Sequence, residues 1–97
     1  MKVQVLRSAM SDLAAGRRFY ERQGAHLGDY FYSSLFADID RLTTTAGIHP
    51  QVFGFHRLLA ERFPYAVYYR TSDDVVLVYR ILDCRQDPTS TEGSLRR

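Results

Sequence analysis

The sequence has few of the features that cross-link a protein or anchor it to a membrane. Cys84 is the one cysteine among 97 residues, so no internal disulfide can form, and a reducing compartment is indicated. No apolar run approaches the ~20 residues that a membrane-spanning helix needs, and no signal-peptide pattern opens the chain. We therefore expect a cytoplasmic protein without a membrane partner.

The chain also has little excess charge. Thirteen basic residues stand against eleven acidic ones, for a formal net charge of +2, so general attraction of polyanions is weak and a basic patch has to be local. With 45% apolar and 25% charged residues, the composition is that of a folded domain. A chain of this length supports one modest core, which makes a deep enzyme cleft unexpected.

Apolar spacing in the first half predicts a strand and two helices. In "KVQVLRS" the apolar residues alternate with polar ones, as they do in a half-buried strand. A helix then begins at Ser8 or Ser11 and runs to about Gln23, and a second helix extends from about Leu27 to Ala46. Because few residues separate the two helices, we expect an antiparallel helical hairpin.

The second half predicts three strands and a tail. The first of these three strands is expected over residues 52–60, with Gly54 as a bulge or a late start. The segments "YAVYYR" and "VVLVYRIL" are expected to form a hairpin across "TSDD". A turn that closes over those four residues places Arg80 opposite Tyr65. The order β-α-α-β-β-β predicts an α+β domain over residues 1–88, a helical hairpin on a four-stranded, mainly antiparallel sheet. The polar residues 89–97 are expected to form a flexible tail.

Three segments together resemble the RelE/ParE superfamily of type II toxins, also called plasmid stabilisation proteins. These are "DLAAGRRFYERQG", "FHRLLAERFPYAVYYR" and "VVLVYRILDCRQDP", and the resemblance extends from about Val3 to Pro88. It implies the fold given above and a small toxin without a cofactor. It also implies a hetero-oligomer with a cognate antitoxin, which crosses the toxin's sheet and helices and neutralises it.

The resemblance leaves two targets to separate. RelE-like members cleave messenger RNA on the ribosome, whereas ParE-like members inhibit DNA gyrase. Many of the ribonucleases resemble one another in placing Tyr or His-Tyr just beyond the last strand, where this chain has Asp83, Cys84, Arg85 and Gln86. This difference favours a ParE-like inhibitor that acts by protein contact. The alternatives are a ribosome-dependent endoribonuclease that uses arginines as phosphate-binding cations, and a non-toxic member that only binds an antitoxin.

Five charged residues on or near the strands are candidates for target contact: Arg57, Arg70, Arg80, Asp83 and Arg85. Asp83 stands where many ParE-like sequences carry His. Arg80 has two interpretations, because an arginine at the end of an apolar row either pairs with an acid inside the structure or projects at the rim as a functional cation.

The strand tyrosines are candidates for antitoxin contact: Tyr65, Tyr68, Tyr69 and Tyr79. Aromatic side chains also favour strands for packing alone, and the two roles can lie on opposite faces. The histidines have no spacing that joins two of them on a metal, so neither a metal site nor a catalytic residue is predicted. His56 as a lone base, and Cys84 as a nucleophile, are the weaker alternatives.

Overall fold

The computed structural model describes residues 1–96, which fold as a single sheet with helices packed against it. In chain order the elements are β1 (Lys2–Val5), α1 (Arg7–Gln23), α2 (Leu27–Asp40), α3 (Leu42–Thr45), β2 (Gln51–Val52), β3 (Phe55–Leu59), β4 (Tyr65–Ser72), β5 (Val75–Asp83) and α4 (Pro88–Leu95). Within residues 1–96 no helix is both long enough and apolar enough to cross a membrane.

The sheet has five strands in the order β1-β5-β4-β3-β2. β1 runs parallel to β5, and the other neighbours are antiparallel. The predicted α+β fold is confirmed, but the predicted number of four strands is wrong. Phe53 and Gly54 both have positive φ, at 54° and 83°, and turn the chain tightly between β2 and β3. The expected single strand over residues 52–60 is therefore a short hairpin.

The second helix ends earlier than its apolar spacing predicts. α2 stops at Asp40, and the single turn of α3 follows after Arg41. Hydroxyl groups of three successive threonines in α3 donate to the backbone oxygens of Asp40 and Arg41. Such local bonds compete with the regular helical pattern, and β-branched residues are weak helix formers, so the helix is broken here.

The main core lies between the sheet and the helical hairpin. Its buried members are Ala9, Leu13, Phe31, Leu35, Ile39, Leu42, Val67, Tyr69, Val76, Val78 and Ile81. The two helices approach closely because Gly16 of α1 lies directly against the ring of Phe31 in α2. The Glu21 carboxylate accepts hydrogen bonds from the backbone N–H groups of His26 and Gly28, at 3.1 and 3.0 Å, and so caps the start of α2.

The register of the β4–β5 hairpin also differs from the prediction. Asp73 and Asp74 both have positive φ and form a two-residue turn, so Ser72 rather than Arg70 pairs with Val75. An irregularity between Tyr68 and Tyr69 shifts the pairing further. Arg80 therefore lies opposite Tyr68, and the predicted pairing of Arg80 with Tyr65 is wrong.

Where the sequence predicts a flexible tail, the described residues beyond Pro88 form helix α4. Pro88 occupies the first turn, and Asp87 caps the helix by accepting from the backbone N–H of Ser90 at 2.9 Å. Leu95 is only 8% exposed and packs into a second cluster with Phe55, Ala66, Tyr68 and Leu82. Burial of this one large apolar side chain holds the polar segment on the sheet; Arg97 lies outside the described residues.

Candidate functional site

The sheet face that carries the second cluster is called here the outer face, since it lies opposite α1 and α2. α4 covers part of it, and an uncovered concavity lies on each side of Phe53. The larger concavity, about 460 Å³, contains Arg70, and the smaller one, about 320 Å³, contains Arg57. Phe53 lines both and is 42% exposed. Two of the predicted target-contact arginines thus share one face.

Arg57 is held on the outer face by the alternation of β3, where it pairs across the sheet with Tyr68. Its side chain is half-buried, and its Nε atom is buried without a hydrogen-bond partner among residues 1–96. Burial raises the pKa of the neighbouring Tyr68 hydroxyl, and the positive charge of Arg57 opposes that shift. Arg57 therefore combines a fixed position with an unused donor.

Arg70 lies flat against aromatic side chains of the same face. The centre of its guanidinium is 4.0 Å from the ring centroid of Phe55 and 5.5 Å from that of Tyr79. Its Nε donates to the Gly54 carbonyl at 3.1 Å. The group remains exposed and has no carboxylate partner among the described residues. Arg70 is thus both oriented and available.

Arg80 is placed differently, because it pairs with an acid inside the structure, the first of the two interpretations given above. Its guanidinium donates to both carboxylate oxygens of Asp12 in α1, at 2.7 and 2.9 Å, and to the Ser94 carbonyl in α4 at 2.7 Å. The hydrogen bonds from Arg80 to the Asp12 carboxylate raise the arginine pKa above its ordinary value. With its donors engaged and its side chain 17% exposed, Arg80 offers little to a target in this form.

Asp83 and Arg85 pair with each other where β5 ends. The Arg85 guanidinium donates to Asp83 at 2.7 to 3.2 Å, and the Arg85 backbone N–H also donates to it at 2.8 Å. These bonds lower the pKa of the Asp83 carboxyl and raise that of Arg85. The pair is largely exposed but mutually neutralised, so the place beyond the last strand carries no free charge from these two residues.

The candidate tyrosines divide between the two faces of the sheet. Tyr65 and Tyr69 point to the helices, and Tyr69 is fully buried; Tyr68 and Tyr79 belong to the outer face. Tyr68 is buried beneath α4, whereas Tyr79 remains half-buried in edge-to-face contact with Phe55 at 5.1 Å. Of the four, Tyr79 is the one that combines the outer face with substantial exposure. The antitoxin contact stays a prediction for all of them.

The histidines near the sheet edge serve the internal packing around Tyr69. The Tyr69 hydroxyl accepts from the Gly47 backbone N–H at 2.9 Å and lies 2.5 Å from His49 Nδ1, and the ring of His56 stacks on that of Tyr69 at 5.0 Å. Burial, and then the neighbouring His56, lower the pKa of His49. Over residues 1–96 no group of three or more His, Cys, Asp or Glu side chains is placed to hold a metal ion.

Comparison with known proteins supplies the family. A model of the ParE toxin of type II toxin-antitoxin system, parDE, matches residues 3–88. The chain belongs to the ParE toxin family. Among solved structures, it is similar to a chain described as "Chromosomal ParDE TA system from P. aeruginosa", with 23% identity and a TM-score of 0.76. That match covers 84% of this chain and 92% of the other. Comparison with curated proteins gives no match.

Membership of the ParE toxin family confirms the resemblance seen in the sequence, and the structural match confirms the fold. The arrangement of charges within this ParE family member was only partly predictable. Arg57 and Arg70 lie together on the outer face, Arg80 is internal, and Arg85 is paired with Asp83. Sequence reasoning missed Phe53 altogether, and Gly54 beside it was the one local signal of a turn.

Proposed function

We propose that this ParE family member is a toxin that inhibits DNA gyrase by protein contact and is held inactive in a complex with a cognate antitoxin. The family supplies the toxin class, and the geometry of the outer face supports contact as the mode of action. The observation that carries the proposal is the coexistence of two oriented arginines, Arg57 and Arg70, with aromatic side chains on a face where, among residues 1–96, no histidine lines either concavity.

A ribonuclease mechanism needs groups that move protons. General acid or base catalysis typically raises the rate ~10²- to 10⁴-fold. Arginine cannot readily supply it, because its guanidinium stays protonated near neutral pH. The end of β5 and the two residues after it contribute the Asp83–Arg85 pair and the exposed Cys84, and His49 and His56 are hydrogen-bonded to Tyr69 or to the backbone. The outer face is therefore better suited to recognition than to cleavage.

The antitoxin follows from the class of system and from the modest core of the chain. Several large apolar side chains are exposed on the helices, in a loop and at the end of β3, among them Met10, Phe19, Tyr30, Ile48 and Leu59. Such groups are suited to cover by a partner. A partner that binds only the folded toxin adds stability by mass action, about 2.7 kcal/mol at a hundredfold excess over the dissociation constant. We expect the melting temperature to rise when the antitoxin is added.

The decisive experiment compares two activities on one refolded, antitoxin-free preparation. We expect inhibition of gyrase supercoiling and no cleavage of messenger RNA on programmed ribosomes. Replacement of Arg57 and Arg70 together by Gln should weaken the inhibition, whereas the matched change of the exposed Arg18 and Arg62 should not. Codon-specific cleavage that His56→Ala abolishes would instead support the ribosome-dependent ribonuclease. Activity in neither assay, with antitoxin binding retained, would support a non-toxic antitoxin-binding member.

A further inference from the structure

We infer that Phe53 is the anchor of the target contact, and that the surface formed by Phe53, Arg57 and Arg70 binds an acidic polypeptide segment of the target that also carries an apolar side chain. This inference rests on the proposed function and deepens it, because it names the residue and the chemistry by which the toxin recognises its partner.

The backbone of Phe53 is the first observation. Its φ of 54° lies in the left-handed region, where glycine is common and bulky residues are rare. A tight turn of this kind favours Asn or Gly at that position, so the aromatic side chain brings conformational strain. Phe53 remains 42% exposed, so little core packing offsets the strain. A strained, exposed aromatic residue points to a role outside folding.

The second observation is that the tip carrying Phe53 is firmly supported. Arg70 Nε donates to the Gly54 carbonyl, and the Arg70 guanidinium rests on Phe55, which packs against Tyr79. The hairpin itself is closed by the pairing of Val52 with Phe55. An exposed aromatic side chain on a supported turn requires little ordering of the backbone on binding, which favours an interface hot spot.

The unpaired positive charges beside Phe53 indicate that the partner carries carboxylates. One concavity beside Phe53 holds Arg57 and the other holds Arg70, and among residues 1–96 neither arginine pairs with a carboxylate. The one acid that lines these concavities, Glu92, is paired with Arg96. Carboxylates on either side of an apolar group would complete these interactions.

A polypeptide fits this surface better than a nucleic acid. Tight phosphate binding requires several cations along a continuous track, whereas here two unpaired arginines flank an aromatic side chain. The whole chain carries a formal charge of only +2. The apolar contribution of Phe53 is also of more use against a protein side chain.

The test is the substitution Phe53→Asn in the full-length chain. Asn tolerates the left-handed backbone, so stability against urea should be unchanged or higher, which separates the effect on binding from any effect on folding. We expect affinity for DNA-free gyrase to fall about tenfold or more, as for other hot-spot residues. Arg70→Glu should weaken binding similarly. The matched control is Phe19→Ala on α1, whose Phe is 39% exposed and lies away from the outer face.

Each further outcome has a distinct meaning. Gyrase binding that Phe53→Asn leaves unchanged would overturn this inference and leave the proposed function standing. A loss of antitoxin affinity in Phe53→Asn, with gyrase binding retained, would assign the surface to the antitoxin and also overturn this inference. An Arg70→Glu effect seen only when DNA is bound to gyrase would identify phosphate as the ligand. Failure of the unmodified protein to bind gyrase would overturn the proposed function, and this inference with it.

Discussion

Asp12 of α1 and Arg80 of β5 form an ion pair that completes the edge of the sheet. β1 pairs with β5 only as far as Val78, and beyond that point the Asp12 carboxylate accepts from the Ile81 backbone N–H at 2.9 Å as well as from the Arg80 guanidinium. Arg80 also donates to the Ser94 carbonyl. One arginine therefore links α1, β5 and α4, and one carboxylate takes the place of the missing strand.

Removal of this carboxylate should destabilise the fold strongly. Asp12→Ala leaves the mostly buried Arg80 charge without its partner and the Ile81 N–H without an acceptor, so we expect a loss of about 3 kcal/mol in the free energy of unfolding. Urea denaturation measures it. The control is Asp29→Ala, which removes the exposed ion pair with Arg17 and should cost less than about 1 kcal/mol. Equal losses in both variants would contradict the structural role of Asp12.

Helix α4, which replaces the predicted flexible tail over its described residues, should also contribute measurable stability. Leu95→Ala removes a side chain that is 8% exposed, and a loss of about 2 kcal/mol is expected. Thr89→Ala, at an exposed position of the same helix, should change stability by less than about 0.5 kcal/mol. If both variants unfold at the same urea concentration, α4 does not dock in solution as it does in the structure.

The helices and longer strands could be predicted because their apolar residues repeat with the period of the element. What could not be predicted depended on single residues. Two adjacent aspartates with positive φ shorten the β4–β5 turn, and the irregularity after Tyr68 moves the register again, so the predicted partner of Arg80 was wrong. Composition did not predict α4 either, because Leu95 is the one large apolar side chain in a segment that otherwise has the composition of a linker.

The candidate site, too, was predictable where it follows a repeating pattern and unpredictable where it depends on single residues. Alternation along a strand places neighbouring side chains on opposite faces, but it does not reveal which arginine pairs with an internal acid. Asp12 lies 68 positions before Arg80, and no local pattern connects them. Phe53 was missed because an aromatic residue in an apolar segment is normally assigned to the core, whereas its left-handed backbone places it at a hairpin tip.

Alkaline pH should weaken the fold through Tyr65. Burial, and then the charge of Asp83, raise the Tyr65 pKa to about 12 from its ordinary value near 10. A raised folded-state pKa gives stability that is fully present below about pH 10 and is lost as the pH rises towards 12, because the unfolded chain releases the proton more readily. The expected loss is up to about 2 kcal/mol.

The check on Tyr65 is urea denaturation at a series of pH values, with tyrosinate absorbance followed in parallel. Tyr65→Phe should flatten the alkaline loss, since the variant has no proton to release there. Tyr30→Phe changes an exposed ring and should leave the loss in place. An identical alkaline profile in unmodified protein and Tyr65→Phe would show that another group is responsible.

Two helical glycines should respond to alanine in opposite directions. A Cβ atom on Gly16 would lie 2.5 Å from the ring of Phe31, which is fully buried in the α1–α2 interface, so one helix has to move. Overpacking of this kind costs about 1 to 3 kcal/mol, more than the ~1 kcal/mol that alanine gains in helix propensity.

At Gly93 in α4 nothing lies within 4 Å of the added atom, so only the gain remains. Thermal and urea unfolding should therefore show Gly16→Ala destabilised and Gly93→Ala stabilised by about 0.5 kcal/mol or more. Stabilisation of both variants would mean that the two helices are not packed as closely as the contact between Gly16 and Phe31 requires.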